Sequence, residues 1–340
     1  MSPSQQLDHL IDRSDPILAL APMQDVTDLP FWRLMRQYGG ADLYYTEYFR
    51  VFPSSRLDKP ILASITENPT GCPVIAQLIG NDIASLVRTV RELGRYPLAA
   101  IDLNLGCPAP VVYRKCAGGG LLRNLSLVDS ILGALRDAIQ GKFTVKTRLG
   151  FDHERTIESL LPLFAKHSID LLTIHGRTVL QMYRGVIRPD LIRLAAENLP
   201  CPVLANGDIS TSADAVRLLA ESKARGVMIG RGAVRNPWIF SQIRAHLAGK
   251  TITLPLGSEV LAYIHELYSV VCNLGVSDSK GVQKIKKHAN FIGEGINPAF
   301  LHAVRRVGTK EEFFALCVEH LDHDRTMTLS PVLEPPFEQT

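Results

Sequence analysis

Eight short apolar runs rich in β-forming residues recur along the first 250 residues, and amphipathic stretches of helical period separate them. The runs are ILALAPM (17–23), DLYYTEY (42–48), PVIAQLIG (73–80), AAIDLNLG (99–106), FTVKTRLG (143–150), DLLTIHG (170–176), CPVLANGD (201–208) and GVMIGRG (226–232). Between them lie patterns such as LVDSILGALRDAI (127–139) and ADAVRLLAESK (213–223). Eight β/α repeats predict an α/β fold, a closed TIM (β/α)8 barrel, because an open doubly wound sheet more often has about five or six strands.

Each run ends in polar or small residues where its apolar part stops: Pro22-Met23-Gln24, Glu47, Gln77, Asn104, Lys146 with Arg148, His175 with Arg177, Asn206-Gly207-Asp208, and Gly230-Arg231. Barrel active sites are assembled at the carboxyl ends of the strands, where the loops converge over a rigid core. Polar residues at one end of all eight strands therefore read as one site.

Beyond residue 250 the pattern becomes all-helical: VLAYIHELYSVVCNL, KGVQKIKKHANFI, PAFLHAVRRV and EEFFALCVEHL. The expected organisation is an N-terminal extension (1–16), the barrel (17–250), a C-terminal helical bundle domain (251–325) joined through TITLPLG (251–257), and a loose proline-bearing tail (326–340). A hydrophobic fraction of 46% supplies a full core, and six cysteines are too sparse for a disulfide scaffold. No apolar run is long enough for a membrane span and the first residues do not read as a secretory signal, so a cytoplasmic protein is expected. No oligomer is expected either.

Net charge changes the picture only when it is localised. Residues 280–310 hold seven Lys and Arg against the single acid Glu294, a surplus of +6 in a chain whose total is +3. In KGVQKIKKHANFI, Val282, Ile285, Ala289 and Ile292 fall on one helical face and Lys280, Lys284 and Lys287 on another. Such a face is either a solvated surface or a phosphate-tracking one.

The strand ends narrow the chemistry. Alternation along FTVKTRL puts Thr144, Lys146 and Arg148 on one face, and buried cations imply an anionic or electron-rich partner, the alternative being an ion pair with Glu47 or Asp102. The glycine turns at Asn206-Gly207-Asp208 and Gly230-Arg231 follow the seventh and eighth strands, where this fold cradles phosphate. His175 with Arg177 reads either as a structural pair or as part of that site. Gln77 and Asn104 offer donor and acceptor groups suited to the edge of a flat heterocycle. No cluster has metal-ligand spacing, so the expected ligand is a phosphorylated ring held without a metal. Cys107, beside Pro108 and ahead of CAGGG on the loop after the fourth strand, stands over the site mouth. A thiol with a pKa of about 8.5 is mostly protonated at neutral pH, so a proton donor is at least as plausible there as a nucleophile.

Taken together, APMQDVTD (21–28), TEYFRV (46–51), QLIG (77–80), DLNLGCP (102–108) with GGGLL, VKTRLG (145–150), HGRT (175–178), PVLANGDI (202–209) and MIGRGA (228–233) resemble the flavin-dependent tRNA dihydrouridine synthases. The resemblance implies an FMN-loaded barrel followed by a helical tRNA-binding domain, with NADPH as electron donor. It implies that Pro22, Met23, Gln24, Gln77, Lys146, His175, Asn206, Gly207, Asp208, Gly230 and Arg231 hold FMN, and that Cys107 is the general acid. TEYFRV is also similar to the bacterial C-type subfamily, which implies uridine 16 of the D-loop as target and Arg50, Asn104, Tyr183, Lys284 and Lys286 as tRNA-binding residues. One departure is visible: Pro110, Val111 and Val112 stand where the family usually has lysine shortly after the cysteine-proline pair. Two other classes carry similar barrels: a small-molecule FMN reductase of the dihydroorotate or enoate type, for which a basic helical appendage has no purpose, and a non-catalytic tRNA-binding flavoprotein.

Overall fold

The structure, a computed structural model, describes residues 1–272 and 277–331. Nine strands form one sheet: β1 (Ile17–Leu20), β2 (Leu43–Tyr45), β3 (Phe49–Arg50), β4 (Val74–Ile79), β5 (Ala100–Leu105), β6 (Phe143–Arg148), β7 (Leu171–His175), β8 (Val203–Asn206) and β9 (Gly226–Ile229). All pairings are parallel, and the ring β1-β2-β4-β5-β6-β7-β8-β9 closes where β9 pairs with β1. The eight-stranded barrel is thus present, and each of its strands lies inside one of the eight predicted runs. β3 is an addition, two residues laid on the carboxyl end of β4 with Phe49 opposite Leu78 and Arg50 opposite Ile79. Strands buried on both faces read as continuous apolar runs, as β1 and β9 do.

The residues gather into two compact units that are not contiguous in sequence. The first comprises Met1–Leu29, Ala41–Asp208 and Arg217–Ile229; the second comprises Pro30–Gly40, Ile209–Val216 and the chain from Gly230 onward. Within the first, the expected N-terminal extension is helix α1 (Pro3–Asp12), started by a capping box in which Ser2 and Gln5 bond each other's backbone N–H. Its Leu7 and Leu10 pack with Ile17, Leu43, Ala99 and Leu171 at the strand beginnings, so α1 plugs the end of the barrel away from the predicted site. The Arg225 guanidinium donates to the carbonyls of Leu10 and Ile11 at 2.9 Å each and of Asp15 at 2.7 Å, satisfying the end of that helix.

Helices α2 (Leu29–Gln37), α3 (Lys59–Thr66), α4 (Ile83–Leu93), α5 (Pro110–Tyr113), α6 (Leu125–Ala138), α7 (Thr156–Lys166), α8 (Pro189–Asn198) and α9 (Ser212–Ser222) lie between the strands in sequence, and within the second unit α10 (Arg231–Arg235), α11 (Ile239–Leu247), α12 (Gly257–Val271), α13 (Asp278–Gly293), α14 (Pro298–Val304) and α15 (Lys310–Leu321) follow one another. On α13 the two faces are as the periodicity predicts: Val282, Ile285, Ala289 and Ile292 are buried, while Lys280, Lys284 and Lys287 are exposed. Glu294, the single acid of the basic segment, pairs with the buried Arg235, whose Nε also donates to the Phe291 carbonyl at 3.0 Å. That acid is spent inside the unit. The described part of the expected tail is pinned: Leu256 pairs with Thr326, Met327 donates to the Pro255 carbonyl at 2.8 Å, and Leu329 is fully buried. The rest of it, 332–340, lies outside the described residues, as do positions 273 and 274 of the first predicted helix.

Candidate active site

The carboxyl ends of β4, β5 and β6 carry a chain of side-chain hydrogen bonds that begins in the barrel interior. Strand register puts Gln77 opposite Asp102 and Asp102 opposite Thr144. The Thr144 hydroxyl donates to Asp102 Oδ1 at 2.6 Å and the Gln77 Nε2 donates to Asp102 Oδ2 at 2.8 Å. Burial pushes the Asp102 carboxyl up to about 7, against the opposing effect of these two bonds and of Lys146. The Gln77 carbonyl in turn accepts from Asn104 Nδ2 at 2.8 Å. Asn104 Oδ1 then accepts the backbone N–H of Gly106 at 3.0 Å and of Cys107 at 2.9 Å.

That turn presents Cys107 at the end of β5. Its thiol is partly buried, and burial holds it above its ordinary pKa, although the Ala109 N–H and the charges of Arg148, Lys146 and Arg50 act in the other direction. A protonated thiol at neutral pH suits a proton donor rather than a nucleophile. The following glycines have a steric reason. Gly118 has a positive φ of 54°, and a Cβ there would come within 2.9 Å of both Cys107 Cβ and Ile79 Cδ1. Pro110 and Val112 open and line the short helix α5 (Pro110–Tyr113), while Val111 is exposed.

Lys146 and Arg148 part company. Lys146 Nζ donates to Asn206 Oδ1 at 3.2 Å, and burial together with the charge of Arg148 lowers the amine to about 8. Arg148, only 2% exposed, is satisfied by backbone: Nε donates to the Gly106 carbonyl at 2.9 Å, and Nη1 to the carbonyls of Thr178 at 2.8 Å and Met182 at 2.6 Å. The expected electron-rich partners of Arg148 are these carbonyls, not the alternative ion pair with Glu47 or Asp102, and through them it clips two loops together. Backbone carbonyls are electron-rich partners that sequence spacing does not display. Its guanidinium also lies 5.6 Å from the ring centroid of Tyr183, which is half-exposed.

His175 and Arg177 sit with Gly207 and Asp208. Arg177 forms an ion pair with Asp208, Nη1 to Oδ1 at 2.9 Å, and its Nε donates to the carbonyls of Arg184 and Gly185 at 3.0 Å each. Gly207 and Asp208 both have positive φ, 135° and 45°, and a Cβ on Gly207 would meet Ile187 Cγ2 at 2.8 Å and His175 Cδ2 at 3.2 Å. Asn206 Nδ2 donates to the Met228 carbonyl at 2.8 Å, which turns its Oδ1 toward Lys146. After β1, Thr27 ties the Pro22-Met23-Gln24 turn, accepting from the Met23 N–H at 2.8 Å and donating to the Ala21 carbonyl at 2.9 Å. The Gln24 Oε1 is buried without a hydrogen-bond partner in the protein.

The family model for dihydrouridine synthases matches residues 19–324, nearly the whole chain. The chain belongs to the dihydrouridine synthase family. It is 34% identical to a probable tRNA-dihydrouridine synthase of Rhodobacter capsulatus over 83% of this chain and 87% of that one. It is 33% identical to the tRNA-dihydrouridine synthase B of Pasteurella multocida, over 87% of this chain and 90% of the relative. The tRNA-dihydrouridine synthase B of Pseudomonas syringae is likewise 33% identical, over 81% of each chain. The fold is similar to that of a morphinone reductase variant in complex with tetrahydroNAD, with a TM-score of 0.50 at 12% identity, over 71% of this chain and 89% of that one.

In this dihydrouridine synthase, the first unit joins Gln77, Asn104 and Cys107 in one chain of hydrogen bonds and sets Lys146, bonded to Asn206, opposite Asn104 in the strand register, with Pro22, Met23, Gln24, His175, Gly207 and Asp208 at the other strand ends. Arg50 is exposed at the end of β3, its guanidinium 5.8 Å from the Tyr48 ring. Gly230 and Arg231 belong to the second unit, where Gly230 caps α10 directly after the last residue of β9. Lys284 and Lys286 lie on α13, Lys284 exposed and Lys286 donating to the Arg305 carbonyl at 3.1 Å. Glu47, expected at a strand end and as an alternative ion-pair partner, instead accepts the Asp25 N–H, and its carboxyl rises to about 7 through burial and the nearby Asp28, Asp25 and Asp58. The signal for Asp102 was present in its alternation with Asn104 along β5. Among the described residues no acidic, histidine and cysteine cluster could hold a metal, and no helix is long and apolar enough to cross a membrane.

Proposed function

We propose that this family member reduces the C5–C6 double bond of a D-loop uridine in tRNA, with FMN as resident cofactor and NADPH as the source of electrons. The observation that carries the reading is Cys107, whose thiol burial holds in its protonated form and whose backbone N–H is held by Asn104 at the end of β5. The residues fit a flavin. Gln24 Oε1 is a buried acceptor with no partner in the protein, suited to a ring N–H. Lys146 has three donors and one carbonyl partner at 3.2 Å, leaving it free to donate to a ring carbonyl or nitrogen. Gly207 and Asp208 both take positive φ directly after β8, the kind of backbone turn that cradles a phosphate at this strand end.

When bound and reduced, the flavin supplies the hydride for C6 of the uracil. Cys107 Sγ then gives its proton to C5, and its raised pKa keeps that proton available through neutral pH. Gln77 and His175 would border the cofactor, and Asn104 holds the thiol's turn through the backbone N–H groups of Gly106 and Cys107. A uracil must leave its stack to reach the barrel, which requires a grip on the RNA backbone. Lys284 and Lys286 on α13, with Arg50 and Tyr183 on the barrel rim, supply charge and a stacking ring for that purpose. This reading belongs in the cytoplasm. The relatives that carry a subtype letter are B-type, so the C-type reading and uridine 16 rest on TEYFRV alone, and target position is left to mapping.

The test is direct. The purified protein should carry FMN and oxidise NADPH, with the bound flavin reoxidised far faster when unmodified tRNA is added than when a small enone or orotate-type acceptor is added. Reoxidation by the small acceptor alone would return the chain to the small-molecule class.

A further inference from the structure

We infer that Asp102 is a positioning residue for Cys107: acting through the side-chain amides of Gln77 and Asn104, it sets the direction of the hydrogen bonds that hold the turn carrying the thiol. The inference rests on the reading above only for what the thiol does. The chain is constrained at both ends. Backbone N–H groups can only donate, so the pair at Gly106 and Cys107 requires the oxygen of Asn104, found at 3.0 and 2.9 Å. That choice turns Asn104 Nδ2 toward Gln77, whose oxygen takes it at 2.8 Å. Gln77 is then left pointing its own NH2 into the barrel interior. Gln77 and Asp102 are both fully buried, so the NH2 needs an acceptor there, and Asp102 Oδ2 provides one at 2.8 Å.

What Asp102 prevents is an unanswered donor. With an apolar side chain at 102 the inward Gln77 NH2 has no acceptor, and Gln77 relieves this only by leaving its place, which takes its oxygen away from Asn104 Nδ2. Asn104 is then held from one side only, and the turn bearing Cys107 loosens. Thr144 occupies the other carboxyl oxygen at 2.6 Å, so a proton on the acid can sit on Oδ1 toward Thr144 while Oδ2 still accepts from Gln77. The requirement at position 102 is therefore an acceptor, not a charge. Asparagine satisfies it by turning its oxygen to Gln77 and its NH2 to the Thr144 hydroxyl; leucine cannot.

The experiment compares Asp102→Asn, Asp102→Leu and Thr144→Val in the flavin-loaded protein. Two rates are read: alkylation of Cys107 by iodoacetamide, resolved by peptide mass spectrometry from the exposed Cys116, and uridine reduction in tRNA. Asp102→Asn and Thr144→Val are expected to stay within about twofold of wild type in both, whereas Asp102→Leu exposes the thiol, raising alkylation and lowering reduction by about tenfold each. The inference is overturned if Asp102→Asn behaves like Asp102→Leu, if Thr144→Val shifts the alkylation rate as much, or if a folded Asp102→Leu leaves it unchanged. Should Asp102→Leu not fold, the other two variants decide on the same criterion. A wild-type protein that leaves tRNA uridine unreduced refutes the proposed function, while the alkylation rates still test the role of Asp102.

Discussion

The backbone N–H of Cys107 donates to the side-chain oxygen of Asn104 at 2.9 Å, three residues back along the same strand end. One strand thus supplies both the thiol and the group that aims it. The aim and the acid can be separated by mutation. Cys107→Ala is expected to abolish uridine reduction while tRNA affinity, read by filter binding, stays within about twofold, since the phosphate contacts lie elsewhere. Equal loss of affinity and turnover would argue that Cys107 is a binding residue.

Gly118→Ala probes the same turn from the other side. A Cβ at 2.9 Å from Cys107 Cβ, on a backbone with φ of 54°, should destabilise the fold by about 1–3 kcal/mol and displace the thiol. Turnover is expected to fall further than stability accounts for when both are measured on the same preparation.

Asp102 carries a pH signature. Its carboxyl rises on folding from 3.8 to about 7, so the folded state binds the proton more tightly than the unfolded one across that window. Its contribution to stability is fully present at low pH and is lost as pH rises through the folded value. Calorimetry at pH 5 and pH 8 should therefore show a smaller drop in melting temperature for Asp102→Asn than for wild type, by on the order of a few °C. An identical drop in the two proteins would contradict the buried, protonated assignment.

Lys146 gives the cofactor proposal its own pH dependence. With the amine lowered to about 8, it is charged below that value and neutral above it. FMN binding to the flavin-free protein, followed by quenching of flavin fluorescence, should weaken as pH rises past about 8 and lose that dependence in Lys146→Met. A flat wild-type profile would remove Lys146 from the flavin site.

Arg148 is expected to act through loops. Arg148→Met removes three bonds to the carbonyls of Gly106, Thr178 and Met182, and should cost about 2–4 kcal/mol and expose the segment near Tyr183 to limited proteolysis. Unchanged cleavage there would mean that the loop holds itself.

How much of this was legible beforehand follows from where the information sits. The barrel was readable because each strand is a local apolar run, and the two faces of α13 because helical period is local too. The extra strand β3 was not, since two residues carry no period. An electron-rich partner for Arg148 was expected, but not which, because the partners are backbone carbonyls of loops 30 or more residues away that no side-chain pattern records. Asp102 was legible only as an alternative ion-pair partner, because its contacts to Gln77 and Thr144 depend on amide and hydroxyl orientations across three strands. The family motifs named candidate residues, but only the hydrogen bonds say which of them touch.

The central claim is that this chain reduces uridine in tRNA, and mapped tRNA fragments test it most directly. Fragments from cells with and without the gene would be compared by mass spectrometry for the gain of two hydrogen atoms. A single D-loop fragment that loses that gain without the gene, and regains it with wild-type protein but not with Cys107→Ala, is the predicted result, and it also fixes the target position. No change in any fragment would contradict the account.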